Sequence, residues 1–180
     1  MRACGEEEMS KGNFVLIGMP ACGKSTLGVV AAKMLCMDFL DVDLFLQKRL
    51  GMSLQSYIKK FGTGAFLEAE ADAICAIDVE NTIISTGGSA VLTERGAERL
   101  SELGKMVYIK APLSIIEARI GDLDRRGVTH EAGQTIRDIY EERTPIYEKY
   151  ADAVIEVGKT EIAVTSRALA DMLGDMKTER

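Results

Sequence analysis

The sequence predicts an α/β fold: one parallel sheet with helices on both faces, a three-layer α/β/α arrangement. Three observations carry this. Five short runs rich in Val, Ile, Phe or Tyr are apolar almost from end to end, as strands covered on both faces must be. Stretches with apolar residues at helical spacing separate them, which is the alternation of a parallel sheet. A glycine-bearing turn joins the first run to the first helical stretch, as expected where a strand feeds a helix at a ligand crevice. The chain has 180 residues, which suits one hydrophobic core rather than two.

The strands are expected at Phe14–Gly18, Phe39–Asp43, Thr82–Thr86, Met106–Lys110 and Val154–Val157. Lys24 to Met37 reads as the first helix, with Leu27, Val30, Ala31, Met34 and Leu35 on one face. Further helices are expected at Ala65–Val79, Thr93–Leu103, Pro112–Ile120, Thr135–Tyr150 and Thr160–Leu173. Thr93 followed by Glu94 is an N-cap signal, and Pro112 stands where a first helical turn tolerates proline. Residues 1–12 and 175–180 read as tails around one domain at 13–174. The polar, glycine-bearing stretch 121–134 interrupts the alternation, and its length suggests a functional loop or lid.

The net charge is −6, with Lys and Arg dispersed, so a broad nucleic-acid surface is not expected. No apolar stretch is long enough for a bilayer, and residues 1–11 carry Glu6-Glu7-Glu8 rather than a secretory signal. The cytoplasm is the expected compartment. Cys4, Cys22, Cys36 and Cys75 form no CxxC pair, and His130 is near none of them, so no zinc site is expected. Cys36 and Cys75 read as buried thiols. Cys22 reads as a small filler, with a redox-sensitive thiol as the other reading.

Residues Gly18 to Thr26, GMPACGKST, fit G-x-x-x-x-G-K-[ST] between a strand and a helix. Glycines let the backbone fold so that several N–H groups face one anion, and the helix N-terminus adds to that field. This predicts a nucleoside triphosphate site: Gly18, Ala21, Cys22 and Gly23 cradle the phosphates, Lys24 reaches the β- and γ-phosphates, and Thr26 meets the α-phosphate. Ser25 supplies a hydroxyl to Mg²⁺. Asp41 and Asp43 follow at the end of the second strand. Two residues apart on a strand, they share a face that opens on the crevice. One carboxylate there can hold the metal's waters and the other accept a hydroxyl proton. The competing reading is two solvated loop aspartates.

The phosphate loop, the D-x-D, STGGS at Ser85–Ser89 and EERTPIYEKYAD at Glu141–Asp152 occur in the order and spacing of shikimate kinases, and the chain resembles that family from Asn13 to Leu173. The resemblance implies a nucleoside-monophosphate-kinase-like sheet in order 2-3-1-4-5. It also implies ATP- and Mg²⁺-dependent phosphorylation of the 3-hydroxyl of shikimate, for aromatic amino-acid biosynthesis. Carried onto this chain, it places Asp41 near Mg²⁺ through water and Asp43 on the acceptor hydroxyls as base. It sets Gly87 and Gly88 close to substrate and γ-phosphate, Arg126 on the nucleotide phosphates, and Arg143 on the acceptor carboxylate.

Three departures stand out. Leu67 replaces the arginine that in the family precedes a glutamate and grips the acceptor carboxylate. Leucine makes no such contact. Lys59, Lys60 and Arg137 are possible substitutes. Ser89 stands where the family has a third glycine, which calls for a compatible backbone angle and offers a hydroxyl. The lid lacks the proline and leucines that follow the family's arginine. Because these changes fall on the acceptor side, a second reading is a kinase for another hydroxylated acceptor such as homoserine, with Glu70 toward its amine. A non-catalytic ATP-binding regulator is a third. A guanine-selecting Asn-Lys-x-Asp is missing, which argues against a GTPase switch. A monomer acting on a small hydroxylated molecule is expected.

Overall fold

The computed structural model describes residues 11–121, 127–130 and 133–178. Arg126, Cys4 and most of the expected N-terminal tail lie outside the described residues, as does part of the stretch 121–134.

The elements run β1 Asn13–Ile17, α1 Lys24–Leu35, β2 Asp38–Asp41, α2 Val42–Leu50, α3 Leu54–Cys75 and β3 Thr82–Ser85. They continue with α4 Glu94–Leu103, β4 Gly104–Lys110, α5 Leu113–Ile120, α6 Ile136–Tyr150, β5 Ala153–Glu156 and α7 Ile162–Thr178. The five strands pair in parallel in the order β2-β3-β1-β4-β5. Chain direction turns from leftward (β1 to β2) to rightward (β3 to β4) beside the central strand. Right-handed crossovers therefore place α1 and α4 on opposite faces. Helix α7 packs on α1, and α3 packs on α4.

Every residue of β1 is buried, which is why this strand reads as an unbroken apolar run. Its one polar side chain, Asn13, is fully satisfied. Asn13 Nδ2 donates to the carbonyls of Val79 (2.7 Å) and Leu103 (2.9 Å), and its Oδ1 accepts from the Thr82 amide at 2.9 Å. It thereby ties the start of β1 to the entry of β3 and the end of α4. Asn13→Leu leaves the Thr82 N–H without this acceptor, and should lower unfolding free energy by about 2–4 kcal/mol. Chemical denaturation of the two proteins checks this.

The second strand is shorter than the sequence suggests. It ends at Asp41, whose carboxylate accepts from the Leu44 amide at 3.1 Å and so caps α2. Asp41 and Asp43 are therefore not alternate residues of one strand face. Asp41 is the N-cap of a helix, and Asp43 sits in its first turn, where the helix dipole favours negative charge. Helix α3 begins eleven residues earlier than expected and ends at Cys75. Gly62 breaks it with φ 84° and ψ 167°, a conformation suited to glycine. The segment before that kink is held by a small apolar cluster of Leu46, Leu54, Phe66 and Ala73, rather than by strong periodicity of its own. Cys36 and Cys75 are exposed, contrary to the buried thiols expected: each lies at a helix end, past the last residue that faces the core. Helix α7 runs to Thr178, beyond the expected end at Leu173.

Candidate active site

The phosphate loop occupies residues 18–23 between β1 and α1. Ala21 has φ 63°, a turn conformation that aims successive amides inward. Lys24, the first residue of α1, is 7% exposed. Its Nζ donates to the carbonyls of Gly18 (2.8 Å) and Met19 (2.9 Å), which holds the ammonium on the floor of the loop. Cys22 is buried, with its Sγ 3.7 Å from Lys24 Nζ, and fills space beneath the loop. Thr26 is exposed beside it. Ser25 Oγ donates to Asp41 Oδ2 at 2.7 Å and lies 3.1 Å from Ser85 Oγ. Two hydroxyls and a carboxylate gathered at the helix start form an all-oxygen donor set, the chemistry that suits a hard divalent cation retaining several waters.

A cavity of about 640 Å³ runs along the loop. One end is walled by Asp43 on α2, Phe66 and Glu70 on α3, Gly87–Ser89 after β3, and Arg143 on α6. The other meets Arg119 at the end of α5 and the β5–α7 connection at Gly158 and Thr160. Gly87 is the hinge of the first end. A Cβ there would stand 2.5 Å from Glu70 Oε1 and 2.8 Å from Asp43 Oδ1, so only glycine lets both carboxylates approach this backbone. Gly88 supplies its carbonyl to Arg143 Nη1 (3.3 Å) and to the Tyr147 hydroxyl (2.5 Å). Arg143 Nη2 donates to the Thr129 hydroxyl at 3.0 Å and to the Thr129 carbonyl. Gly127–Thr129, within the expected lid, thus pack over the acceptor end, with Val128 and Thr129 buried.

The carboxylates are tuned by their surroundings. Burial raises the Asp43 pKa, the Asp41 charge raises it further, and Lys24 opposes both. Glu70 is 2% exposed, and burial pushes it up to about 7, against the hydrogen bond that Ser89 Oγ donates to Oε2 at 2.7 Å. Asp43 adds to that rise, and Arg143 and Lys24 oppose it. A carboxyl raised in the fold binds its proton more tightly folded than unfolded. Its contribution to stability is therefore complete below the ordinary carboxylate range and is lost as pH rises toward 7. Glu70→Gln, which keeps the shape and the Ser89 bond, should melt higher than the parent at pH 8, and the gap should close near pH 5. Thermal melts at the two pH values read this directly.

Sequence reasoning thus places Ala21, Cys22, Gly23, Lys24, Ser25, Thr26, Asp43, Glu70, Gly87, Gly88 and Arg143 on one cavity, and the structure brings them together there. Gly18 contributes through its carbonyl to Lys24, and Asp41 through Ser25. Ser89 has no positive φ, so the serine fits without strain and adds its hydroxyl to Glu70. The suggested cation substitutes do not reach the cavity. Lys59 and Lys60 are exposed, and Arg137 lies 3.9 Å from Glu117 at the surface. Leu67 packs on the small apolar cluster. Arg119, Ser85, the β5–α7 connection and the first turn of α7 at Ile162 and Thr165 were not legible as site residues. Arg119 carries only the signal of a cation in a last helical turn, which any helix end favours.

A strand–glycine loop–helix cradle, a reachable ammonium, hydroxyl and carboxylate donors beside it and a second carboxylate across the cavity define a phosphate-loop phosphotransferase. Comparison with known proteins gives the family. The family model described as shikimate kinase matches residues 20–173. Shikimate kinase 2 of Salmonella heidelberg is 30% identical over 160 residues, covering 86% of this chain and 88% of that protein. The crystal structure of shikimate kinase from Aquifex aeolicus superposes with a TM-score of 0.76 at 28% identity, covering 92% of this chain and 98% of that one. The shikimate kinase from Acinetobacter baumannii, solved in complex with shikimate, shares the fold with a TM-score of 0.81 at 23% identity, over 92% and 94% of the two chains. The chain belongs to the shikimate kinase family. It is a kinase that phosphorylates a hydroxyl, and ATP is its phosphoryl donor. Among the described residues, no helix is long and apolar enough to cross a membrane.

Proposed function

We propose that this chain transfers the γ-phosphoryl group of ATP to the 3-hydroxyl of shikimate, with Asp43 as the base. The observation that carries this is the one cavity that Lys24, the phosphate loop and Asp43 line together, with Gly87 against Asp43. The names of the relatives supply the acceptor. The acceptor hydroxyl attacks in line, its proton passes to Asp43, and ADP leaves. Burial lifts Asp43 toward the range in which a carboxylate accepts a proton more readily. Lys24, Gly23 and the loop amides carry the phosphate charge, Thr26 the α-phosphate, and Arg126 is assigned to the nucleotide by the resemblance. Ser25 and Asp41 would hold Mg²⁺, Asp41 through water, and the ion would neutralise charge on the transferring group.

Arg143 binds the acceptor carboxylate, and Gly87 and Gly88 let the acceptor lie close to the backbone. Arg143→Met should raise the acceptor KM roughly ten- to hundredfold and leave the ATP KM nearly unchanged. Arg143→Lys should recover only part of the loss, because a point charge does not reproduce the planar fork. Steady-state ADP release with each substrate varied in turn measures both. We also propose that residues 13–174 act as one domain, that 121–134 close over the cavity during turnover, and that the enzyme is a cytoplasmic monomer. Release of ADP with shikimate and ATP, absent with either alone, tests the reading.

A further inference from the structure

We propose that the acceptor end of the cavity also takes a hydroxy acid bearing an ammonium group, held at its carboxylate by Arg143 and at its ammonium by Glu70. This rests on the phosphotransfer reading above and extends its acceptor class.

Two buried polar atoms at this end lack hydrogen-bond partners: Glu70 Oε1 and Arg143 Nε. Their residues are 2% and 3% exposed, and both line the cavity. Buried groups of this kind are costly unless something satisfies them. The two have opposite charge and different needs. Arg143 asks for an anion or acceptor. Glu70 asks for a donor, and a cation serves it best.

Charge balance points the same way. Asp43 and Glu70 face one backbone patch at Gly87, and Arg143 opposes them together with Lys24, whose ammonium is bonded to the Gly18 and Met19 carbonyls of the phosphate loop. An acceptor with a carboxylate alone answers Arg143 and brings a third anion beside the two. An acceptor with both groups answers Arg143 and Glu70 together. Position 67 is a neighbour of Glu70 on α3, because residues three apart on a helix lie side by side. Leu67 is turned instead into the apolar cluster with Leu46 and Leu54. Ser89 satisfies only the other oxygen of Glu70, which fixes the carboxyl and leaves Oε1 unpartnered beside Gly87. Burial holds Glu70 near the neutral-to-ionised boundary, and an arriving ammonium favours the ionised form.

The chemistry is unchanged. The acceptor's hydroxyl oxygen forms a bond to the γ-phosphorus as the bond from that phosphorus to the ADP oxygen breaks. ADP leaves with the electron pair, and the hydroxyl proton goes to Asp43. The products are ADP and the phosphate ester of the ammonium-bearing acid.

The test measures ADP release by the full chain with ATP and Mg²⁺ on three acceptors: homoserine, 4-hydroxybutyrate (the same acid without the amine) and shikimate. Homoserine is expected to exceed 4-hydroxybutyrate by about a hundredfold or more in kcat/KM. Glu70→Gln should shrink that ratio to within roughly threefold, since the amide keeps the shape and loses the charge. A wild-type ratio near one overturns the inference, as does a high ratio that survives in Glu70→Gln. The wild-type ratio decides even if the variant folds poorly. Turnover of shikimate with a ratio near one overturns this inference alone. Turnover of homoserine with none of shikimate upholds it and overturns shikimate as the acceptor. Silence on all three acceptors overturns both.

Discussion

Lys24→Met is expected to lower kcat/KM for phosphoryl transfer by about a thousandfold or more, while the fold persists. The ammonium is held on the floor of the phosphate loop, where it is bonded to the Gly18 and Met19 carbonyls. In the transferring state it must leave those carbonyls for the γ-phosphoryl oxygens. There it stabilises developing charge, where a single fixed donor is worth about a hundred- to thousandfold, and a full positive charge more. Methionine matches the length of the stem and fills the same buried volume, so the core under the loop is kept. Two measurements are needed together: initial rates with the parent and the variant, and their thermal melts. Matching melts with a collapsed rate are the predicted pair. An unchanged rate would remove Lys24 from the mechanism.

Asp43→Asn should cost about a hundred- to ten-thousandfold in kcat, with a much smaller effect on ATP affinity. The amide is isosteric and can still bond the acceptor hydroxyl, but it accepts no proton. Because Asp43 is half-buried beside Asp41, removing its charge also relieves repulsion. The variant is therefore expected to be at least as stable as the parent at neutral pH. A slower enzyme that is no less stable separates a catalytic carboxylate from a structural one. If Asp43→Asn turns over at the parent rate, the proton goes elsewhere.

Much of this was legible in the chain itself. The apolar run at Phe14–Ile17 and the glycine, lysine and hydroxyl spacing after it specify a strand, a cradle and a helix. Each local preference agrees with the fold around it. What was not legible depends on tertiary contact. Asp41 and Asp43 look like alternate residues of a strand, but the side chain of Asp41 caps a helix and turns the chain at that point. The D-x-D marks two residues that the structure sets beside Ser25 and on the cavity, on a helix start rather than the strand face the spacing predicts. The first half of α3 has mixed polarity and a glycine kink, and packing on Leu46 and Phe66 makes it helical. Glu70 was visible as a carboxylate without its usual neighbour. That it is almost fully buried, with one oxygen bonded to Ser89 and the other unpartnered against Gly87, required the fold. Arg119 has no sequence signal that separates it from an ordinary helix-terminal cation, and only its place beside the loop marks it.

The most direct test of the central claim is a crystal structure with a non-hydrolysable ATP analogue, Mg²⁺ and shikimate. The account predicts the triphosphate wrapped by residues 18–26, Lys24 moved from the Gly18 and Met19 carbonyls onto the terminal phosphoryl group, and Asp43 within hydrogen-bond reach of the acceptor hydroxyl. A triphosphate bound away from the loop, or Asp43 directed away from that hydroxyl, would contradict it.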